Sequence, residues 1–343
     1  MSINILMTGA GAPGAAGIIQ CLKQYPMVHI VGADANADAV GRFLADDFET
    51  IPKAGDPAFA DRLMALCREK NIHVVMPLVT KELIPLAQHS KEFELAGARL
   101  IVSPAASLEI ANDKSKLYQF LQWRGMDIPD FRVAENIEQF ETAAAELGYP
   151  HKTICFKPSI SNGSRGFRVI SDKEDEHHLL FNEKPSSTFI RYSDAARILS
   201  SKPFPELLLS EYLPGEEYSV DCLARRGEAI LVIPRLRKKM INGISVAGEF
   251  IKEENIIRYC TQIIHELQLH GNIGIQVKKS VAGRFLLLEI NPRVQGTISA
   301  GLGAGINLPL LAIKQELGLP ISKEELQVKW GVKFARYWSE VFW

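Results

Sequence analysis

Phe285-Leu-Leu-Leu-Glu-Ile-Asn-Pro-Arg-Val-Gln-Gly-Thr297 is the stretch that decides the fold. Its apolar run reads as a buried strand, and Glu289 and Asn291, two positions apart, leave the same face of the sheet. Pro292 lacks the N–H that a ladder needs, so the strand ends there and Arg293 follows at once. A carboxylate and an amide oxygen on one face, with a guanidinium beside them, suit Mg²⁺ bridged to nucleotide phosphates. Solvated polar residues at a strand end would look the same in isolation, and the surrounding segments decide between the two.

The chain has 343 residues, room for two or three domains. With 47% hydrophobic and 23% charged residues and a net charge of −1 it is an ordinary globular sequence, and nothing points to nucleic acid or an acidic membrane as partner. Met1-Ser-Ile-Asn-Ile-Leu-Met-Thr8 has no basic segment and runs straight into a strand pattern, unlike a signal peptide. No apolar window approaches the roughly eighteen residues of a membrane span. Cys21, Cys67, Cys155, Cys222 and Cys260 are scattered, with no Cys-x-x-Cys, and read as small buried apolar residues in a reducing cytoplasm.

The first third alternates strand and helix. Ile3–Thr8, His29–Ala33, Val74–Pro77 and Leu100–Val102 read as strands, with helices over Ala15–Gln24 and Phe59–Lys70. That alternation predicts βαβ units on a parallel sheet. Gly9-x-Gly11-x-x-Gly14, with Asp34 about twenty residues on, also fits a dinucleotide fingerprint. The same glycines are needed for a tight turn and close helix packing, so an NAD-dependent oxidoreductase is an alternative and no more.

Further on, Asn112-Asp113 caps a helix over Ser115–Arg124 with Lys114 in its first turn, where positive charge opposes the helix dipole unless an anion lies near. Lys157 interrupts the apolar strand Thr153–Pro158, and a buried lysine needs an anionic partner. Ser159 to Gly166 is a small-residue loop whose backbone N–H groups, freed by Gly163 and Gly166, are able to close over phosphates. Residues 171–202 read as polar and irregular, with His177 and His178 solvated, and a lid is one use for them. Leu207–Leu213 is a strand ended by Pro214-Gly215, and another begins near Glu216.

Taken in order, these pieces resemble the ATP-grasp superfamily, in its carbamoyl-phosphate-synthase-like branch, over nearly the whole chain. The resemblance implies an α/β and α+β fold: a Rossmann-like pre-ATP-grasp domain at 1–110, a linker helix and lid subdomain at 111–205, and a large subdomain with the metal site at 206–343. It implies phosphate contacts from Lys114 and Lys157, with Ser161, Gly163, Ser164 and Gly166 over the triphosphate. Adenine is assigned to Glu211, Tyr212 and Leu213, and ribose to Glu217. Mg²⁺, or Mn²⁺, is assigned to Gln276, Glu289 and Asn291, and the transferring phosphate to Arg293. Two positions depart from the common pattern: Gln276, as in the carbamoyl-phosphate-synthase branch, stands where most ATP-grasp enzymes have a carboxylate, and Arg165 stands where many relatives have glycine.

The activity so implied is ATP-dependent carboxylate–amine ligation on small molecules, with a homodimer left open. A non-catalytic nucleotide-binding regulator is the other alternative, opposed by Lys114, Lys157, Glu289, Asn291 and Arg293 all being present. Arg235 and Arg237 alternate along an expected strand, so one face carries both. That face, with Ser245 nearby, either grips a substrate carboxylate or belongs to a solvated edge strand. Thr297–Asn307 either lines the same cleft or packs helices, and Trp330–Trp343 reads as a final strand on the core or at a dimer contact.

Overall fold

The computed structural model describes residues 2–161, 163, 165–182, 188–241 and 243–343. Ser164, one of the loop residues named above, lies outside them. Among the described residues the strands form three sheets. By compactness the chain falls into two units, Met1–Asn112 with Glu217–Val277 and Leu288–Trp343, and Asp113–Glu216 with Lys278–Leu287.

The first unit begins with a parallel sheet of β1 (Ile3–Thr8), β2 (Val28–Asp34), β3 (Asp47–Thr50), β4 (Val74–Pro77) and β5 (Arg99–Leu100), in the order β3-β2-β1-β4-β5. Ile5, Leu6 and Met7 are consecutive and all fully buried, as expected for a parallel strand covered on both faces. The strand order reverses between β1 and β4, so their carboxyl ends frame the crevice that open α/β sheets use for ligands. The turn after β1 is held tightly. Gly9 has φ +67°, and a Cβ on Gly14 would stand 2.3 Å from the Cα of Gly296. Only a glycine at position 14 allows those backbones so close.

The second unit carries β6 (Phe131–Ala134), β7 (Ile154–Pro158), β8 (Arg168–Ile170), β9 (Phe189–Ile190) and β10 (Leu207–Glu211), in the order β6-β10-β7-β8-β9. Residues 171–202, read from sequence as irregular, contain β9 and the helices Glu176–Asn182 and Tyr192–Ser200. Tyr192, Ala195 and Leu199 share one stripe of the second helix and pack on the cluster of Phe140, Phe156 and Ile170. The stripe is only three residues wide, so polar neighbours hid its period in the sequence. His177 and His178 are exposed, as expected.

The third sheet has β11 (Glu217–Arg225), β12 (Glu228–Ile241), β13 (Ile244–Phe250), β14 (Gly271–Lys279), β15 (Phe285–Asn291) and β16 (Lys333–Ala335), in the order β15-β14-β11-β12-β13-β16. The expected C-terminal strand shrinks to β16. Beyond it Tyr337, Trp338 and Phe342 are exposed, and Trp343 stacks on Phe43 with centroids 4.4 Å apart. In the first unit one core joins both ends of the sequence: Ile5, Met7, Ile18 and Ile30 cluster with Phe250, Val294, Ile298, Leu308, Leu311 and Ile313. All five cysteines are unpaired and buried, and burial pushes the Cys21 and Cys67 thiols up to about 12. Among the described residues no helix is long and apolar enough to cross a membrane.

Candidate functional site

In the first unit, β15 delivers Glu289 and Asn291 to one face as the alternation requires. Asn291 Nδ2 donates toward Glu289 Oε1 at 3.5 Å, and both side chains are half-buried. Pro292 ends the strand, and Arg293 turns back so that its Nε donates to Thr80 Oγ1 at 3.0 Å and its Nη1 to the Val294 carbonyl at 2.8 Å. Thr80 opens the helix Thr80–Gln88 directly after β4, so Arg293 reaches the carboxyl end of the parallel sheet. Burial pulls its guanidinium below the usual range, and the charge of Glu289 pushes it back up.

The donor set limits which metal fits. Among the described residues no group of three or more His, Cys, Asp or Glu side chains is close enough to cage an ion. One carboxylate and one amide oxygen side by side do suit Mg²⁺, which takes few protein ligands and fills its shell with water and phosphate oxygens.

The two arginines of β12 are not on a solvated edge, because that strand lies between β11 and β13. Arg235 is 0% exposed. Its Nε donates to Asp221 Oδ2 at 3.1 Å, its Nη2 to Thr297 Oγ1 at 2.7 Å, and its guanidinium lies 5.2 Å from the Phe334 ring centroid. The expectation that it grips a substrate carboxylate is therefore corrected: it is enclosed and already ion-paired. Ser245 is buried as well, its hydroxyl directed to the Ala247 carbonyl at 3.4 Å. Arg237 pairs with Glu217, and the same Nη1 donates to Gln276 Oε1 at 3.4 Å. Glu217, the implied ribose carboxylate, is thus an ion-pair partner here.

Thr297–Asn307 takes the packing alternative. Ile298–Leu302 is a short 3-10 helix, a Cβ on Gly17 would meet Ser299 Oγ at 2.5 Å, and Asn307 caps Leu308–Glu316 while donating to the Cys21 carbonyl.

Asp34 does not face a ribose. Its Oδ2 accepts from Gly11 N at 2.8 Å and its Oδ1 from Asn36 N at 2.9 Å, which locks the glycine turn. With Gly296 against Gly14, the turn serves the packing of its own unit, and the dinucleotide alternative finds no support.

A group that the sequence reading missed lies at the switch point. Glu82 is buried in the first turn of Thr80–Gln88, and its Oε2 accepts from Thr8 Oγ1 at 2.6 Å, joining the ends of β1 and β4. Burial raises its pKa to about 7, the charge of Asp34 adds to the rise, and the Thr8 hydroxyl opposes it. A carboxyl raised in the folded state favours folding at low pH. That contribution is complete below about 4.5 and is lost as pH climbs through about 7. Glu82→Gln should remove a pH dependence of stability on the order of 3 kcal/mol across that window. Urea midpoints at pH 5 and pH 8 measure it, and an unchanged difference between them would refute the assignment.

In the second unit, Lys114 starts the helix Lys114–Trp123, capped by Asp113, whose Oδ1 accepts from Ser115 N and Lys116 N. Lys114 is 5% exposed, and its ammonium donates to the Ser161 carbonyl at 2.8 Å, fastening it to the start of the loop. Lys157 is half-buried on β7, with its ammonium 5.6 Å from the Tyr118 ring centroid. Gly163 and Gly166 take φ +66° and +77°, the left-handed region that glycine enters without steric cost. Arg165 between them is exposed. Glu211 ends β10 and accepts from Asp130 N, Leu213 is buried, and Lys278 lies 5.0 Å from the Tyr212 ring centroid. The structure therefore gathers Lys114 with Ser161, and Tyr212 with Lys278, in this unit. Glu217, Gln276, Glu289, Asn291 and Arg293 belong to the other.

Residues 203–336 match the family described as ATP-grasp in the biosynthetic pathway with Ter operon, and residues 5–101 match the PylC-like N-terminal domain. The carbamoyl phosphate synthase large chain of Thermus thermophilus is 24% identical over 320 residues, 89% of this chain and 29% of that one. Its counterpart from Archaeoglobus fulgidus is 24% identical over 256 residues, 70% of this chain and 22% of that one. This chain thus spans less than a third of the length of these relatives. Among solved structures, N5-carboxyaminoimidazole ribonucleotide synthetase in complex with ADP superposes with a TM-score of 0.71 at 17% identity, covering 95% of this chain and 80% of that one. L-amino acid ligase from Bacillus licheniformis gives 0.66 at 16% identity, covering 94% and 76%.

Proposed function

We propose that this chain, which matches the ATP-grasp family model over residues 203–336 and is similar to the large chain of carbamoyl phosphate synthase, is an ATP- and Mg²⁺-dependent ligase joining a carboxylate to an amine. The observation that carries the reading is Glu289 and Asn291 side by side on β15, with Arg293 one proline further. A carboxylate resists amine attack at neutral pH because its leaving group is poor. Transfer of the γ-phosphoryl group from ATP to a carboxylate oxygen releases ADP and gives an acyl phosphate; the amine then attacks the acyl carbon and phosphate leaves, with no protein nucleophile required.

The work left to the protein is to hold anions together and keep water away. Lys114 and Lys157 neutralise phosphate charge, and the N–H groups around Gly163 and Gly166 bind phosphate oxygens. Glu211, Tyr212 and Leu213 take the adenine. Glu217 serves the ribose with whatever acceptor capacity its pairing to Arg237 leaves, since an ionised carboxylate offers about four lone-pair sites. Glu289 and Asn291 hold Mg²⁺, or Mn²⁺ in its place, which when bound draws charge from the phosphate oxygens. Arg293, fixed by Thr80, presents its guanidinium to the transferring group. ATP as co-substrate and five unpaired thiols fit the cytoplasm.

ATP should bind in a Mg²⁺-dependent manner and far more tightly than NAD. Calorimetric titration with each decides it, and tight NAD binding without a response to ATP would end the ligase reading. The reaction itself is sought as ADP release across a panel of carboxylates with amine acceptors. Arg293→Lys should fold normally, bind ATP nearly as well and lose most of its turnover, because a point charge does not replace a planar fork. Thermal melts beside phosphate-release rates separate this from a structural role, which would lower the melting temperature and spare turnover per folded molecule.

A further inference from the structure

Arg237 has surroundings unlike those of its neighbour Arg235. Its side chain is 4% exposed. Its Nη1 donates both to Glu217 Oε1 and to Gln276 Oε1, the latter at 3.4 Å, and its Nη2 donates to the Gly243 carbonyl. Its Nε is buried with no partner among the described residues. Burial lowers the guanidinium pKa, the charge of Glu217 raises it, and the charge of Arg235 adds to the lowering.

A permanent cation therefore stands against the amide oxygen of Gln276. Mg²⁺ in a phosphoryl-transfer site is held by one or two carboxylates together with substrate phosphates, and some such sites hold two ions. Here Glu289 is the one carboxylate of the implied metal set, Gln276 is neutral, and its oxygen already accepts from a guanidinium. A divalent ion placed there would lose a ligand charge and meet a fixed positive charge at short range. An arginine costs no dehydration of a tightly solvated ion, and its pairing with Glu217 keeps it in position.

Building on the ligase reading above, we propose that Arg237 takes the place of one of two divalent cations, so that this protein binds its nucleotide with a single Mg²⁺, held by Glu289 and Asn291. Arg237 is then a fixed counter-charge for the nucleotide, and it sets the metal stoichiometry.

The test counts metal ions directly. Mn²⁺ is titrated into the full chain with saturating non-hydrolysable ATP analogue, and bound Mn²⁺ is read by electron paramagnetic resonance while bound nucleotide is measured in parallel. The wild type should bind one Mn²⁺ per nucleotide, without the spin coupling of a close pair. Arg237→Gln should tighten a second Mn²⁺ site at least about tenfold, whereas Arg237→Lys, which keeps the charge, should not. Because Arg237→Gln strands the Glu217 carboxylate, the Glu217→Gln/Arg237→Gln double variant is measured beside it, with thermal melts to establish folding. Two Mn²⁺ per nucleotide in the wild type would overturn the proposal, as would a folded Arg237→Gln or double variant that still binds one. Failure to bind the nucleotide at all is seen in the same titration, and it overturns the ligase reading together with this one.

Discussion

Arg235→Ala will cost this protein about 3–5 kcal/mol of folding stability, the penalty typical of removing one member of a fully buried ion pair. Arg235 and Asp221 have side chains 0% and 1% exposed. Taking the guanidinium away leaves the Asp221 carboxylate in an apolar sheet, with neither water nor a counter-charge, and also strips Thr297 Oγ1 of its donor. Asp221→Ala should be comparably harmful. The double change Arg235→Met/Asp221→Leu should recover most of the loss, since apolar residues of similar volume avoid the desolvation penalty altogether. Urea unfolding of the three variants measures the pattern. A wild-type midpoint for Arg235→Ala would mean that the pair is not closed off from solvent in solution.

Glu289→Ala is expected to do the opposite, sparing the fold and destroying the reaction. Glu289 is half-buried at the end of an outer strand, next to Asn291, so its loss opens no cavity in the core. It is the one carboxylate of the proposed metal pair, and it matters most as charge grows on the transferring phosphate. Turnover should fall on the order of 10²-fold or more, as when other electrostatic contributors are removed. ADP release per folded molecule is the readout, and a rate equal to the wild type would remove Glu289 from the mechanism.

Much of this was written in local sequence. The apolar run broken by Glu289, Asn291 and Pro292 fixed a strand, its face and its end, because alternation and the missing proline N–H act within a few residues. Asp113 as a cap and the parallel sheet of the first third were legible for the same reason. What escaped notice depends on partners far away in the chain. Thr80 receives Arg293 from 213 positions away, and Glu82 meets Thr8 across 74. The burial of Arg235 had one usable signal. Asp221 alternates with apolar residues in Tyr218-Ser-Val-Asp-Cys-Leu-Ala224, and a carboxylate on such a strand asks for a cation on the strand beside it. Arg237 was visible as a residue but not as a neighbour of Gln276, since it is the sheet order that sets β12 and β14 on either side of β11.

The core shared between the two ends of the sequence has a bearing on how the protein is made. Ile5, Met7, Ile18 and Ile30 are covered by Ile298, Leu308, Leu311 and Ile313, which are synthesised much later. At 5–20 residues per second, the sheet of the first 112 residues emerges from the ribosome and waits roughly 10–40 s for that cover. During this interval a wide aliphatic face is open to other nascent chains. The N-terminal block is therefore a natural client for chaperones that shield apolar surface, and a fragment cut at Asn112 should aggregate although its own strands are all present.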